Sequence, residues 1–231
     1  MALNAATRRI VDELRAAAEP GRKTGMARVG IRVDHALGVS IPQCRRIARG
    51  HRGNHELALD LWASGIHEAR IVASMIDDPA NATLSQMERW VADFDSWDVC
   101  DQVCSNLFGP STHVYPAARV WSRRDEEFVR RAGFTLIAER AVRDRVHDDA
   151  FWLGWLPVIH DGATDDRNYV KKAVNWALRQ IGKRDVVLNA SAIAEAEHLL
   201  KLGSPSARWI ARDALRELRS DAVRARLQKR G

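Results

Sequence analysis

Two clusters in this sequence combine residue types and spacings suited to chemistry or ligand binding. The first runs from Trp90 through Asp93, Asp95, Trp97, Asp98, Cys100 and Asp101 to Cys104. If Ser96 or Asp95 opens a helix, Trp97 and Asp101 lie one turn apart on one face. Asp98 then sits in the first turn, where a carboxylate accepts backbone N–H bonds and is favoured by the helix dipole. Asp101 has no such explanation. It is either a surface aspartate or a carboxylate beside an indole, facing a groove, and the spacing leaves both open. The second cluster holds Lys172, Trp176, Arg179 and Lys183, at spacings of 4, 3 and 4. In a helix these form one stripe of cations around one indole. That stripe is either a solvated face whose tryptophan caps the core, or a surface for a sugar-phosphate backbone with the aromatic against sugar or base.

Other chemistries find little support. Cys100 and Cys104 are spaced i, i+4 with no histidine cluster nearby in sequence, and a structural zinc site needs four ligands. Both are expected to be small buried hydrophobes. The eight histidines are scattered, without an HExxH motif, and neither a glycine-rich phosphate loop nor a nucleophile elbow is present. No metal and no cofactor are expected.

Charge narrows the partners. The 231 residues carry 36 Lys+Arg against 30 Asp+Glu, a formal net charge of +6. Residues 1–50 and 201–231 are each +6 and residues 51–100 are −6, while 101–200 balance. Only six of the cations are lysine, and arginine binds phosphate oxygens bidentately. Such clustering fits a polyanion partner, or an arginine-rich solvated surface. Apolar residues make up 46%, enough for a packed core, which excludes a disordered chain. No run of 18 apolar residues and no secretion signal is seen, and three cysteines are no disulfide framework, so a cytoplasmic protein is expected.

The elements that position these clusters read as helices throughout. Apolar residues recur at helical spacing, as at Leu3, Ile10 and Leu14, or Val170, Val174 and Ala177. Proline and glycine breaks cut the chain into segments of helical length, and Thr83/Gln86 and Asp95/Asp98 resemble capping boxes. Phe128-Val129-Arg130-Arg131-Ala132 is echoed 41 residues later by Tyr169-Val170-Lys171-Lys172-Ala173, and more loosely by the segment from Ala207 to Arg212. A helical repeat of that period suggests a HEAT or armadillo array, with a plain helical bundle as the alternative. The expectation is a single all-α domain over residues 1–231: a curved solenoid of antiparallel helix pairs with a concave basic groove. Trp62, Trp90, Trp121, Trp152, Trp155 and Trp209 are expected to pack those pairs.

The blocks Ser96-Trp97-Asp98-Val99-Cys100-Asp101, Phe128 to Ala132 and Val170 to Arg179 resemble the DNA alkylation repair enzymes, the AlkD-like alkylpurine DNA glycosylases. Met26-Ala27-Arg28 and the stretch from Leu37-Gly38-Val39 to Pro42 are similar to that family's N-terminal block. The resemblance implies a HEAT-like solenoid holding duplex DNA and releasing cationic N3- and N7-alkylated purines without a base-binding pocket. By motif position it implies that Asp101 is the catalytic carboxylate and that Trp97 and Trp176 are groove tryptophans acting with it. Arg131 would anchor the DNA backbone. Arg130, Lys172, Arg179 and Lys183 are expected to contact phosphates, with the protein a monomer. The chain departs from the pattern at Val29, where catalytic members carry a tyrosine, and at Ser96, where many carry a second tryptophan. Since some relatives bind DNA structures without excising bases, a non-catalytic protein for branched or distorted DNA is the second expectation.

Overall fold

The computed structural model describes residues 4–229, so Leu3 lies outside the described residues. Every regular element among them is helical. The chain divides between Val114 and Tyr115 into two compact units.

The first unit contains α1 (Ala5–Ala16), α2 (Arg22–Arg28), α3 (Ile41–Ala48), α4 (His55–Ala63), α5 (His67–Ile76), α6 (Leu84–Ala92) and α7 (Trp97–Val103). Polar residues at the boundaries start these helices. Asn4 accepts from Thr7 N, Asn54 from Leu57 N, and Ser40 forms a full capping box with Gln43. Thr83 caps α6, but the Gln86 amide turns inward to donate to Asp77, so only half of that box forms. The second suggested box does not form: Ser96 is the N-cap of α7, and its hydroxyl donates to Asp98 Oδ1 at 2.6 Å. Helix α5 is the spine of the unit, packed on α3, α4 and α7 and buried nearly all round, His67 and Glu68 included. Trp62 and Trp90 stack in the core with ring centroids 4.0 Å apart.

The second unit contains α8 (Val114–Trp121, entered at its second residue), α9 (Glu127–Arg143), α10 (Asp149–Leu153), α11 (Leu156–Gly162), α12 (Asn168–Ile181), α13 (Val186–Leu199), α14 (Pro205–Leu218) and α15 (Asp221–Gln228). The sequence echo falls on α9, α12 and α14, which pack side by side in that order. Similar residues recur because the same lateral contacts recur. Phe128 stacks on Tyr169, Asn175 donates to Asp213, and Arg179 pairs with Glu217. Gly133 is required by close packing, since a Cβ there would overlap the backbone of Ser122.

Trp62, Trp90, Trp121, Trp152 and Trp155 are buried as expected, but Trp209 is 40% exposed on α14. The alanines and isoleucine flanking it face the core instead. Cys44, Cys100 and Cys104 are all buried, and burial pushes the Cys44 thiol up to about 12, so no reactive thiolate forms there. No helix among the described residues is long and apolar enough to cross a membrane.

Candidate nucleic-acid interface and catalytic carboxylate

In the first unit the structure brings Trp97 and Asp101 together on the outer face of α7, both half-buried, while Val99, Cys100 and Val103 fill the core behind them. The indole is fixed by a hydrogen bond from its Nε1 to the carbonyl oxygen of Val29 at 3.1 Å. Val29 thus contributes its backbone at this point, and its side chain is 59% exposed. Directly after α7 the chain winds as a π-helix over Cys104–Phe108, closed by Gly109 N donating to Cys104 O at 2.8 Å. Such bulges re-aim the flanking turn and are frequent at functional sites.

Beneath this face lies a network that no sequence motif announced. His67 Nε2 meets Asp98 Oδ2 at 2.8 Å, both nearly buried, and Ser96 holds the other carboxylate oxygen. Burial opposes protonation of His67, but the Asp98 hydrogen bond and the charges of Asp98, Glu68 and Asp95 outweigh it and raise the imidazole above its ordinary 6.5. Burial likewise opposes ionisation of Asp98, yet His67, the Ser96 hydroxyl and the Val99 amide hold it below its ordinary 3.8. The neighbouring Glu68 is buried and accepts from the amides of Leu37, Gly38 and Val39 at 2.8, 2.7 and 3.1 Å. Gly38 has φ +85°, and a Cβ there would overlap the carbonyl of Glu19. The block from Leu37 to Pro42 is therefore a carboxylate-bound loop that enters α3.

The raised His67 stabilises the fold fully below pH 6.5 and ceases to do so as pH rises through its folded value. The lowered Asp98 contributes above pH 3.8 and is lost as pH falls through its folded value. Unfolding free energies of the wild type and His67→Gln, measured across pH, are therefore expected to differ most between about pH 4 and 6.5. A difference that does not vary with pH would show that the pair is not ionised.

In the second unit the predicted cations separate into three groups. Lys172 is exposed. Arg131 is 6% exposed and donates from Nη1 to the Tyr169 carbonyl at 2.8 Å, which ties α9 to α12. Arg130 lies 3.5 Å from Asp165, a buried carboxylate gripped by Arg167. Burial opposes ionisation of Asp165, but the Arg167 hydrogen bonds and the Arg167 and Arg130 charges hold its pKa down. Arg179 and Lys183 both meet Glu217 on α14, Lys183 at 2.6 Å, and Arg179 also faces Asp213 at 3.7 Å. A phosphate at those two residues competes with carboxylates already in place. Trp176 is half-buried, its Nε1 donating to Gln180 Oε1 at 3.0 Å with that amide in its bonded orientation. Among the described residues, no group of three His, Cys, Asp or Glu converges as a metal site.

The family model of the DNA alkylation repair enzymes matches residues 10–218. No curated protein matches the chain. Among solved structures it is similar to a protein described as one of a new family related to the HEAT-like repeat DNA glycosylases, with affinity for branched DNA structures. That likeness has a TM-score of 0.80 and 20% identity, and covers 96% of this chain and 95% of the other. At that identity the likeness is one of fold, an all-helical HEAT-like repeat.

Proposed function

The chain belongs to the DNA alkylation repair enzyme family, and from that premise we propose that it is a DNA glycosylase acting on purines made cationic by alkylation at N3 or N7. The observation that carries this reading is the Trp97–Asp101 face of α7, where a carboxylate and an indole held by the Val29 carbonyl stand one turn apart. An alkylated purine is already positively charged, so the C1′–N bond breaks with both electrons passing to a base that leaves neutral. Positive charge then develops on the sugar. Ionised Asp101 stabilises that charge and orients the water that attacks C1′, whose proton passes to solvent. The indole face of Trp97 favours the same cation. No general acid is required, consistent with the His67 ring being held by Asp98. The expected substrate is duplex DNA, with Lys172 as a phosphate contact and Arg131 fixing the helix that presents the backbone-binding face.

A substrate comparison tests this directly. The protein is expected to release cationic 7-methylguanine from duplex DNA and to leave neutral hypoxanthine in place. Comparable release of both bases would require a general acid and overturn the mechanism. Duplex binding is expected to weaken with salt, and Lys172→Ala to lower the slope of log affinity against log salt by about one on every sequence. A loss confined to particular sequences would make Lys172 a base reader instead.

Val29, in place of the tyrosine of catalytic relatives, favours a second reading: a protein that binds branched or distorted DNA and cleaves no bond. Binding without base release under all conditions would select it.

A further inference from the structure

Trp209 lies outside the site described above. Its indole, 40% exposed, stands on the outer face of α14, while Ala207, Ile210 and Ala211 beside it are buried. Lys171 of α12 places its Nζ 5.2 Å from the ring centroid. Arg208, Arg212 and Arg216 follow one another at i, i+4 and i+8 along the same helix, about 6 Å apart at its rise per residue. With Pro205 and Trp209 these arginines line a shallow cavity of about 260 Å³. The one carboxylate lining it, Asp213, is already engaged by Asn175 and Arg216 and faces Arg179. Lys171, Arg208 and Arg212 thus stand around the exposed aromatic face, while Arg216 and Asp213 pair with each other. Packing does not call for this arrangement, because leaving an indole in water forfeits the gain from burying it.

Trp209 also continues a row. It occupies on α14 the position of Tyr169 on α12 and Phe128 on α9, at offsets of 40 and 41 residues. Phe128 and Tyr169 already stack on each other, with centroids 5.4 Å apart. The third aromatic of the row is the one left open.

We propose that this face binds an unpaired nucleotide of single-stranded DNA, with the base stacked on Trp209 and the adjoining phosphates held by Arg208 and Arg212. The chemistry is that of sequence-tolerant single-strand binding: an aromatic platform for any base, flanked by cations for the backbone. A duplex presents no free base face to such a platform, so the surface selects frayed, gapped or branched DNA. The inference rests on the DNA-binding reading above and adds a second, structure-selective contact to it.

The test uses the full chain and two labelled DNAs, an oligothymidine and a blunt duplex of mixed sequence. Trp209→Ala is expected to weaken oligothymidine binding at least fivefold, as loss of one stacked base implies. Trp209→Phe should retain most of the affinity, and blunt-duplex binding should be unchanged in both variants. Arg212→Ala should lower oligothymidine affinity and its salt dependence together. An unchanged oligothymidine affinity in Trp209→Ala, or no oligothymidine binding by the wild type, overturns the proposal while leaving duplex binding intact. Equal losses on both DNAs also overturn it, by making the surface part of the duplex interface. Failure of the wild type to bind either DNA would instead remove the underlying DNA-binding reading.

Discussion

Asp101→Asn is expected to slow release of alkylated purines by about 10²- to 10³-fold and to leave duplex affinity within about twofold. The rate estimate follows from the 2.7–4 kcal/mol lost when one preorganised electrostatic group is removed from a transition state. The substitution is nearly isosteric, so the half-buried α7 face keeps its shape and Trp97 keeps its bond to the Val29 carbonyl. Only the charge at Asp101 changes. Binding is expected to persist because affinity for DNA comes mainly from phosphate contacts, to which a carboxylate adds only repulsion. Measured under single turnover with saturating protein, the loss should appear in the rate of base release. Full activity in Asp101→Asn would take this carboxylate out of the reaction. A loss that tracks weakened binding would make it a structural residue.

The largest effect on stability is expected at Glu68. Its buried carboxylate accepts three successive backbone amides from Leu37, Gly38 and Val39. Glu68→Ala leaves those donors without a partner, two of the hydrogen bonds being fully buried, and opens space beside His67. At roughly 1–3 kcal/mol for each unsatisfied buried donor, the expected loss is about 3–5 kcal/mol of unfolding free energy. Glu13→Ala, on the exposed face of α1, is the matched control and is expected to stay within about 0.5 kcal/mol. Urea unfolding at constant slope reads both. A Glu68→Ala loss no larger than that of the control would mean that water satisfies the three amides and that the loop is not held by α5.

The contrast between these two residues shows what the sequence made legible. Trp97 and Asp101 are four residues apart on one helix, so their shared face follows from helical geometry alone. The helices themselves were readable from apolar spacing and from prolines such as Pro42, Pro157 and Pro205, which stand in the first turn of a helix. The echo between Phe128 and Tyr169 was readable because both residues make the same lateral contact. Glu68 and His67 gave no signal, since their partners lie about 30 residues away and any polar pair at that distance looks alike in one sequence. The engagement of Arg179 and Lys183 was hidden for the same reason. Glu217, which pairs with both Arg179 and Lys183, is 38 and 34 residues downstream. Arg131 reads as a surface cation, yet it is buried against the Tyr169 carbonyl. Trp209 erred in the other direction: a tryptophan between alanine and isoleucine reads as core, and only the packing of α14 against α12 and α13 shows that its own face is left outside.

The packing also shows how short-range rules and long-range partners divide the work in this fold. Caps such as Asn54 and Ser40 set where helices begin, within three residues of the groups they satisfy. Buried charges such as Glu68, Asp98 and Asp165 then fix which helix or loop lies against which, because each must find its donors in a different segment.

The chemistry proposed for this protein is cleavage of the glycosidic bond of a cationic purine. The most direct test is a single-turnover time course of free 7-methylguanine released from methylated duplex DNA by the wild-type protein, set against spontaneous depurination of the same DNA. Release well above the spontaneous rate is expected, leaving an abasic strand with its phosphodiester backbone intact. DNA fully bound by the protein, yet losing 7-methylguanine no faster than unbound DNA, would contradict it.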